Sequence, residues 1–361
     1  MTRRERVLLA AVAVLVAVAG VGRYAGGISS IAAFVLAGAA LAGLAWIVSV
    51  GVEQVGERFG TPTTSTLQAT VGNLPEFFVV LFALNAGDET VAKTAILGSI
   101  LVNALLVLGV VLIVGALASK GQLMKFSSRL PNDATTLLLV ASFIIVLVAL
   151  VNSSHNIAGR HTETISIVGA CAILVVYASW LRQYLRSGGG LAAGDSTRAT
   201  PRVPIMLSLS LLVVAGIGSA FVSDWFVHAL EPTVHKLHIS QAFAGLVIVA
   251  IAGNAVENVA GIVQAHRGNM DLAISLVKSS VAQIAAFLYP VLVLVSLLTA
   301  THLTFQLAPV YVGALIAAAV LVWQITGDGE ATPFEGAALI STFIVLVALV
   351  NSSHNIAGRH T

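Results

Sequence analysis

Apolar stretches long enough to cross a lipid bilayer follow one another along almost the whole chain, separated by short polar breaks. Crossing a hydrocarbon core of about 30 Å as helix takes roughly 20 apolar residues, and eleven segments approach that length. They fall near 7–24, 29–50, 65–85, 91–117, 133–151, 164–184, 205–227, 240–265, 271–299, 306–325 and 336–351. Hydrophobic residues make up 58% of the chain and charged residues 9%, too little polarity to clothe a water-soluble fold. The expectation is an all-α polytopic membrane protein surrounded by lipid, with no nucleic-acid partner.

The first span follows MTRRER without a small-residue cleavage site and reads as a retained anchor, residues 1–28. The single cysteine, Cys171, rules out an intrachain disulfide. With the N-terminus cytoplasmic, eleven spans put twelve Lys or Arg inside, among them Arg3, Arg58, Lys120, Lys125, Arg129 and Arg267. Arg23, Lys93, Arg160, Lys236 and Arg359 lie outside, as the positive-inside rule requires. The plasma (inner) membrane is the expected location. RSGGGLAAGDSTRATPR, Arg186–Arg202, is the one long polar break. It marks a flexible cytoplasmic linker, residues 185–204, between a first transmembrane repeat at 29–184 and a second at 205–361.

An imperfect repetition flanks that linker: TVGNLPEFFVVLFALNAG at Thr70–Gly87 and IAGNAVENVAGIVQAHRG at Ile251–Gly268. The shared Gly-Asn-x-x-Glu lies in the third span and again in the eighth. These spans cross the membrane in opposite senses, the mark of an inverted-topology repeat and of secondary transporters. Each copy sinks a carboxylate, Glu76 or Glu257, into an apolar span, where an uncompensated charge costs at least a few kcal/mol. Asn73 and Asn254 lie three residues earlier on the same helix faces. Gly72 with Pro75, and Gly253, weaken the helices and free backbone carbonyls.

The following spans add Ser99 and Asn103, four apart in LGSILVNALLVLG, and Ser280 and Gln283, three apart in SSVAQIAAF. Each of these four could equally be bundle glue, since hydroxyls and amides commonly bond neighbouring membrane helices. Two carboxylates with amide, hydroxyl and carbonyl oxygens suit Ca²⁺. A soft metal would call for Cys or clustered His. Protons and a divalent ion compete for the same carboxylates. If the emptied, charged site is too costly to cross, occupancy by one or the other couples their flows. That is antiport, with no cofactor and no enzyme chemistry.

These motifs resemble the calcium/cation antiporter superfamily, most closely its H⁺/Ca²⁺ exchanger (CAX) family, over nearly the whole chain. The resemblance implies an extra first helix and two inverted five-helix repeats, with the two acidic helices meeting at the membrane centre. It implies Glu76 and Glu257 as shared Ca²⁺ and proton sites, with Asn73, Asn254, Ser99, Asn103, Ser280 and Gln283 as neighbours. It departs at Lys278 and Ser279, where the family has an apolar or small residue and then Gly. Lys278 lies about 140° around the helix from Gln283 and is expected to snorkel outward. Ca²⁺ export against an inward proton gradient is the leading expectation. A Na⁺-coupled relative is the alternative, ahead of a passive cation channel or an intramembrane enzyme.

Two further features have plainer readings. His228, His235 and His238 with Glu231 form no recognised ligand pattern in an outer loop, and Asp88, Glu89, Asp328 and Glu330 read as solvated loop charge. A longer identity, IVLVALVNSSHNIAGRHT, occurs at Ile145–Thr162 and Ile344–Thr361. Its copies are 199 residues apart, against 181 for the glutamates, and both leave spans of the same parity. It is out of register with the inverted repeat. A recent copying event or an assembly error is the expected origin of the last 18 residues, and the protein's own C-terminus is expected to be missing.

Overall fold

The computed structural model describes residues 2–59, 71–119, 123–127, 129–153, 161–186 and 203–357. Among these, nine helices are long and apolar enough to span a membrane, and one pair bent by 63° meets the same length and composition when its two helices are taken together. The first repeat comprises α2 (Ser30–Phe59), α3 (Leu74–Asn85), α4 (Glu89–Ala118), α5 (Arg129–Ser153) and α6 (Thr162–Arg186). It follows α1 (Arg3–Ala25). The second contains α7 (Ile205–Leu237), the bent pair α8 (Gln241–Gly253) and α9 (Ala255–His266), α10 (Met270–Leu298), α11 (Pro309–Thr326) and α12 (Pro333–Ala357).

The expected third span is described only from Val71, as the 12-residue α3. The linker lies for the most part outside the described residues, as do residues 154–160 of the first copy of VNSSHNIAGRHT. One boundary moves substantially. The helix expected to end near residue 227 continues to Leu237 through Pro232, so His228, Glu231 and His235 ride on α7 and His238 caps it at φ 55°. The three histidines therefore belong to a helix end and not to a loop.

Burial divides the spans by role. Within their most apolar windows, α4 is 72% buried and α10 67%, whereas α1 is 11%. The first two form the centre and α1 an outer rib against lipid. A Cβ on Gly98 of α4 would stand 2.7 Å from Leu246 Cα, and one on Gly245 of α8 would stand 3.0 Å from Thr94 Cβ. Small residues at both places let α4 and α8 touch backbone to backbone, the usual route to close helix packing in membranes.

On one face, β1 (Met124–Lys125), between α4 and α5, pairs antiparallel with β2 (Glu330–Ala331), between α11 and α12. Lys125 Nζ lies 2.8 Å from Glu330 Oε1, so this acidic group is paired with a basic one. The Ser127 N–H donates to the Asp271 carboxylate at the start of α10. Three loops from both repeats thus meet on one side, as the odd–even count of spans demands.

Candidate functional site

Both Gly-Asn-x-x-Glu copies start a helix at the asparagine, and the second copy does so by interrupting one. Asn73 (φ −92°, ψ 13°) and Asn254 (φ −104°, ψ 12°) share a bridge-region backbone that α-helix interiors avoid. Each is the N-cap of a new helix, α3 or α9, and the axis turns by 63° between α8 and α9. Pro75 suits the first turn of α3 because its missing N–H falls where no intrahelical partner exists. Glu76 and Glu257 then both occupy first turns, where the positive ends of the helix dipoles favour negative charge. The weakened helices expected at Gly72, Pro75 and Gly253 therefore take the form of two new helix starts.

Glu76 is buried, at 3% exposure, while Glu257 is half-buried. Asn254 Nδ2 donates to Ser99 Oγ at 2.9 Å and to the Ala250 carbonyl at 3.1 Å, and reaches Glu76 Oε1 at 3.5 Å. The Ser99 hydroxyl also bonds the Glu76 carboxyl. In the other half, Ser280 Oγ donates to Glu257 Oε2 at 2.6 Å, and Asn103 Nδ2 donates to Ser280 Oγ at 3.3 Å. The two carboxylates are close enough to repel one another.

Side chains from α3, α4, α9 and α10 and from the α8–α9 break thus form one polar cluster inside an apolar bundle. Asn73, Asn254, Ser99, Asn103 and Ser280 are all buried within it, and Gln283 is buried one turn beyond Ser280. Among the described residues, no group of three or more His, Cys, Asp and Glu gathers anywhere that could hold a metal. Oxygens other than a third carboxylate would have to complete the shell of a cation held here.

Three polar atoms of the cluster have no partner among the described residues: Glu76 Oε2, Asn73 Nδ2 and Asn103 Oδ1. A buried polar atom without a partner costs about 1–3 kcal/mol, so three in one cluster mark a place shaped for something else. Beside Glu76 lies a small apolar cavity lined by Leu41, Val79, Ala95, Phe226 and Val249. Helices α4 and α10 each depart from regular α-geometry here, with π-helical turns at Val102–Val107 and Ile284–Leu288. Such turns recur at functional sites. The first holds Asn103 and the second begins just after Gln283.

The structure corrects the expected course of Lys278. It is 3% exposed and does not snorkel to the membrane surface. Its ammonium bonds the hydroxyl of Thr326, the last residue of α11, and it shares a small cavity with Ala104, Leu108, Leu138, Val281 and Val322. Lys278 and Ser280 are two residues apart, about 200° around α10, so the lysine leaves on the side away from Glu257. Sequence also gave no sign of Ser223, whose hydroxyl donates to the Pro75 carbonyl at 3.3 Å. A serine on an apolar helix is too common to single out without its neighbour.

Inverted repeats meeting at two acidic helix starts define the class: a secondary transporter of cations. Residues 29–182 and 207–351 match the model of the sodium/calcium exchanger protein family, and the chain belongs to that family. A Ca²⁺/H⁺ antiporter of Aphanothece halophytica is 28% identical over 330 residues, covering 87% of this chain and 88% of the relative. The Ca²⁺/H⁺ antiporter ChaA of Bacillus subtilis (strain 168) is 30% identical over 285 residues, 78% of this chain and 80% of its own. Among solved structures, native YfkE superposes with a TM-score of 0.79 at 26% identity, covering 95% of this chain and 99% of that one. Within the calcium/cation antiporter superfamily the chain is of the CAX-like kind.

Proposed function

We propose that this protein exchanges Ca²⁺, or a related divalent cation, for H⁺ by alternating access through Glu76 and Glu257. The observation that carries the reading is the pairing of two first-turn carboxylates, one from each repeat, in a cluster that leaves two buried acceptor oxygens, Glu76 Oε2 and Asn103 Oδ1, unpartnered. Ser99, Ser280 and the amide oxygens of Asn73 and Asn103 would supply further ligands, joined by that of Asn254 once its NH₂ group leaves Glu76. A hard divalent ion prefers such oxygens. Two carboxylates also match its charge, so two protons are the natural replacement.

The two negative charges set the coupling. With neither metal nor protons bound they repel one another, and moving them together through a low-dielectric bundle is costly. Either ligand removes that cost, so each half-cycle needs one of them. With the N-terminus cytoplasmic, as the Lys/Arg bias supports, an inward proton gradient across the plasma membrane drives Ca²⁺ out. Coupling to Na⁺ is the second reading. It is disfavoured by the absence of a third carboxylate in the cluster among the described residues.

The test is direct. Wild-type protein in sealed vesicles should move Ca²⁺ under an imposed pH gradient and not under an imposed Na⁺ gradient. Glu76→Gln and Glu257→Gln should fall to background. No movement under either gradient, or full movement in both variants, would sink the assignment.

A further inference from the structure

Asn73 and Asn254 occupy matching positions in the two repeats with nearly the same backbone angles, yet their amides are in opposite states. Asn254 Nδ2 is engaged by Ala250, Ser99 and Glu76. Asn73 Nδ2, in a residue 5% exposed, has no partner among the described residues. Part of the difference is local, because the Ala250 carbonyl lies four residues before Asn254, whereas the matching position before Asn73, Ala69, lies outside the described residues. The bonds to Ser99 and Glu76 are what the opposite repeat presents.

The orientation of Asn254 is fixed by its partners. A backbone carbonyl only accepts hydrogen bonds, so the NH₂ end of the amide faces Ala250, and Glu76 Oε1 lies within reach of the same end. That end carries partial positive charge towards the carboxylate and cannot coordinate a cation. It stands where a bound ion's charge would be felt.

We infer that the two asparagines are alternating internal stand-ins for the transported cation. In the state seen here Asn254 bridges Ser99 and Glu76 of the other repeat. In the opposite-facing state Asn73 bridges Ser280 and Glu257, and Asn254 is released. The inference rests on Glu76 and Glu257 being the transport site. Ser99 follows Glu76 by 23 residues and Ser280 follows Glu257 by the same interval, so the acceptors for the swap are already in equivalent places. Asn103 now donates to Ser280 Oγ and must yield as Asn73 arrives.

An amide is neutral. It holds the carboxylate oxygens between release of one ligand and arrival of the next without discharging them, and the need for a cation or protons before crossing stands. Each stand-in stabilises the emptied carrier in one facing state only. Removing one must shift the emptied carrier towards the other state.

The experiment uses the full-length, ion-free protein in detergent and compares wild type, Asn254→Leu, Asn73→Leu and the double variant by hydrogen–deuterium exchange. Leucine keeps the shape of asparagine without its donor. The single variants should change the relative protection of the first turns of α3 and α9 in opposite directions, with the double variant returning towards wild type. In vesicles of one orientation, the ratio of Ca²⁺ KM values at the two faces should move in opposite senses by roughly fivefold, the effect of one net hydrogen bond. Shifts in the same direction, or none, would overturn the inference. If the leucine variants do not fold, Asn254→Ala and Asn73→Ala must give the same opposed pattern. Opposed exchange shifts in a protein that moves no Ca²⁺ against H⁺ would keep the alternation and reject the ion assignment. Same-sense shifts in an active exchanger would do the reverse.

Discussion

The hydroxyl of Ser280 on α10 donates to the carboxylate of Glu257 on α9 at 2.6 Å. Hydrogen bonds to charged groups are worth about 1.5–3 kcal/mol, and this one also sets the direction in which the carboxylate presents its other oxygen. Ser280→Ala should weaken Ca²⁺ binding by about tenfold or more, while Ser280→Thr, which keeps the hydroxyl, stays near wild type. Calorimetric titration of Ca²⁺ into the purified protein reads the difference.

Lys278 and Thr326 should respond unequally to removal. Thr326→Val leaves the buried Lys278 Nζ without this hydrogen-bond partner and should cost about 1–3 kcal/mol. Lys278→Met removes the charge and fills much the same volume, and should be close to neutral or stabilising. Thermal unfolding in detergent distinguishes them. Equal losses in both variants would mean that the bond itself, and not the unpartnered Nζ, carries the energy.

Gly98 faces the backbone of Leu246, which cannot swing aside as a flexible side chain would. Gly98→Ala should therefore destabilise by about 1–3 kcal/mol, as overpacking in a dense interior does. Ala95→Gly, on the same helix but without that contact, should cost about 1 kcal/mol at most through helix propensity. The two melting curves provide the comparison.

Asp88 lies in the turn between α3 and α4, accepts from Gln241 Nε2 at 3.4 Å, and is held above the usual carboxylate range first by burial and then by repulsion from Glu231. The folded state therefore keeps its proton to higher pH than the unfolded chain does, and stability falls as pH rises from the unfolded carboxylate value through the folded one. Asp88→Asn should raise the melting temperature at neutral pH and leave it unchanged below the carboxylate range. The effect should stay under about 1 kcal/mol, since the group is half exposed. Melting curves across pH 3 to 8 report both the sign and the window.

What sequence disclosed and what it hid follow from the range of the forces. Span positions were legible because bilayer thickness imposes a length on every apolar run, and Glu76 and Glu257 stood out because a carboxylate in such a run is expensive. The helix break at Asn254 was signalled by Gly253. The end of α7 was not legible: beyond residue 227 polar and histidine residues suggested a loop, yet Phe226, Val227, Leu230 and Val234 are buried and carry the helix on. Lys278 misled for a related reason. Its position on α10 suggested a path to the membrane surface, but the partner that retains it, Thr326, lies 48 residues away. The π-helical turns beside Asn103 and Gln283 leave no mark on apolar periodicity at all.

The contact of Gly98 with Leu246 and of Gly245 with Thr94 joins a helix of the first repeat to one of the second with no layer of side chains between them. No rotamer change can open a seam that is made by backbone. The tightest join in the bundle therefore runs across the boundary between the repeats and ties one to the other at α4 and α8.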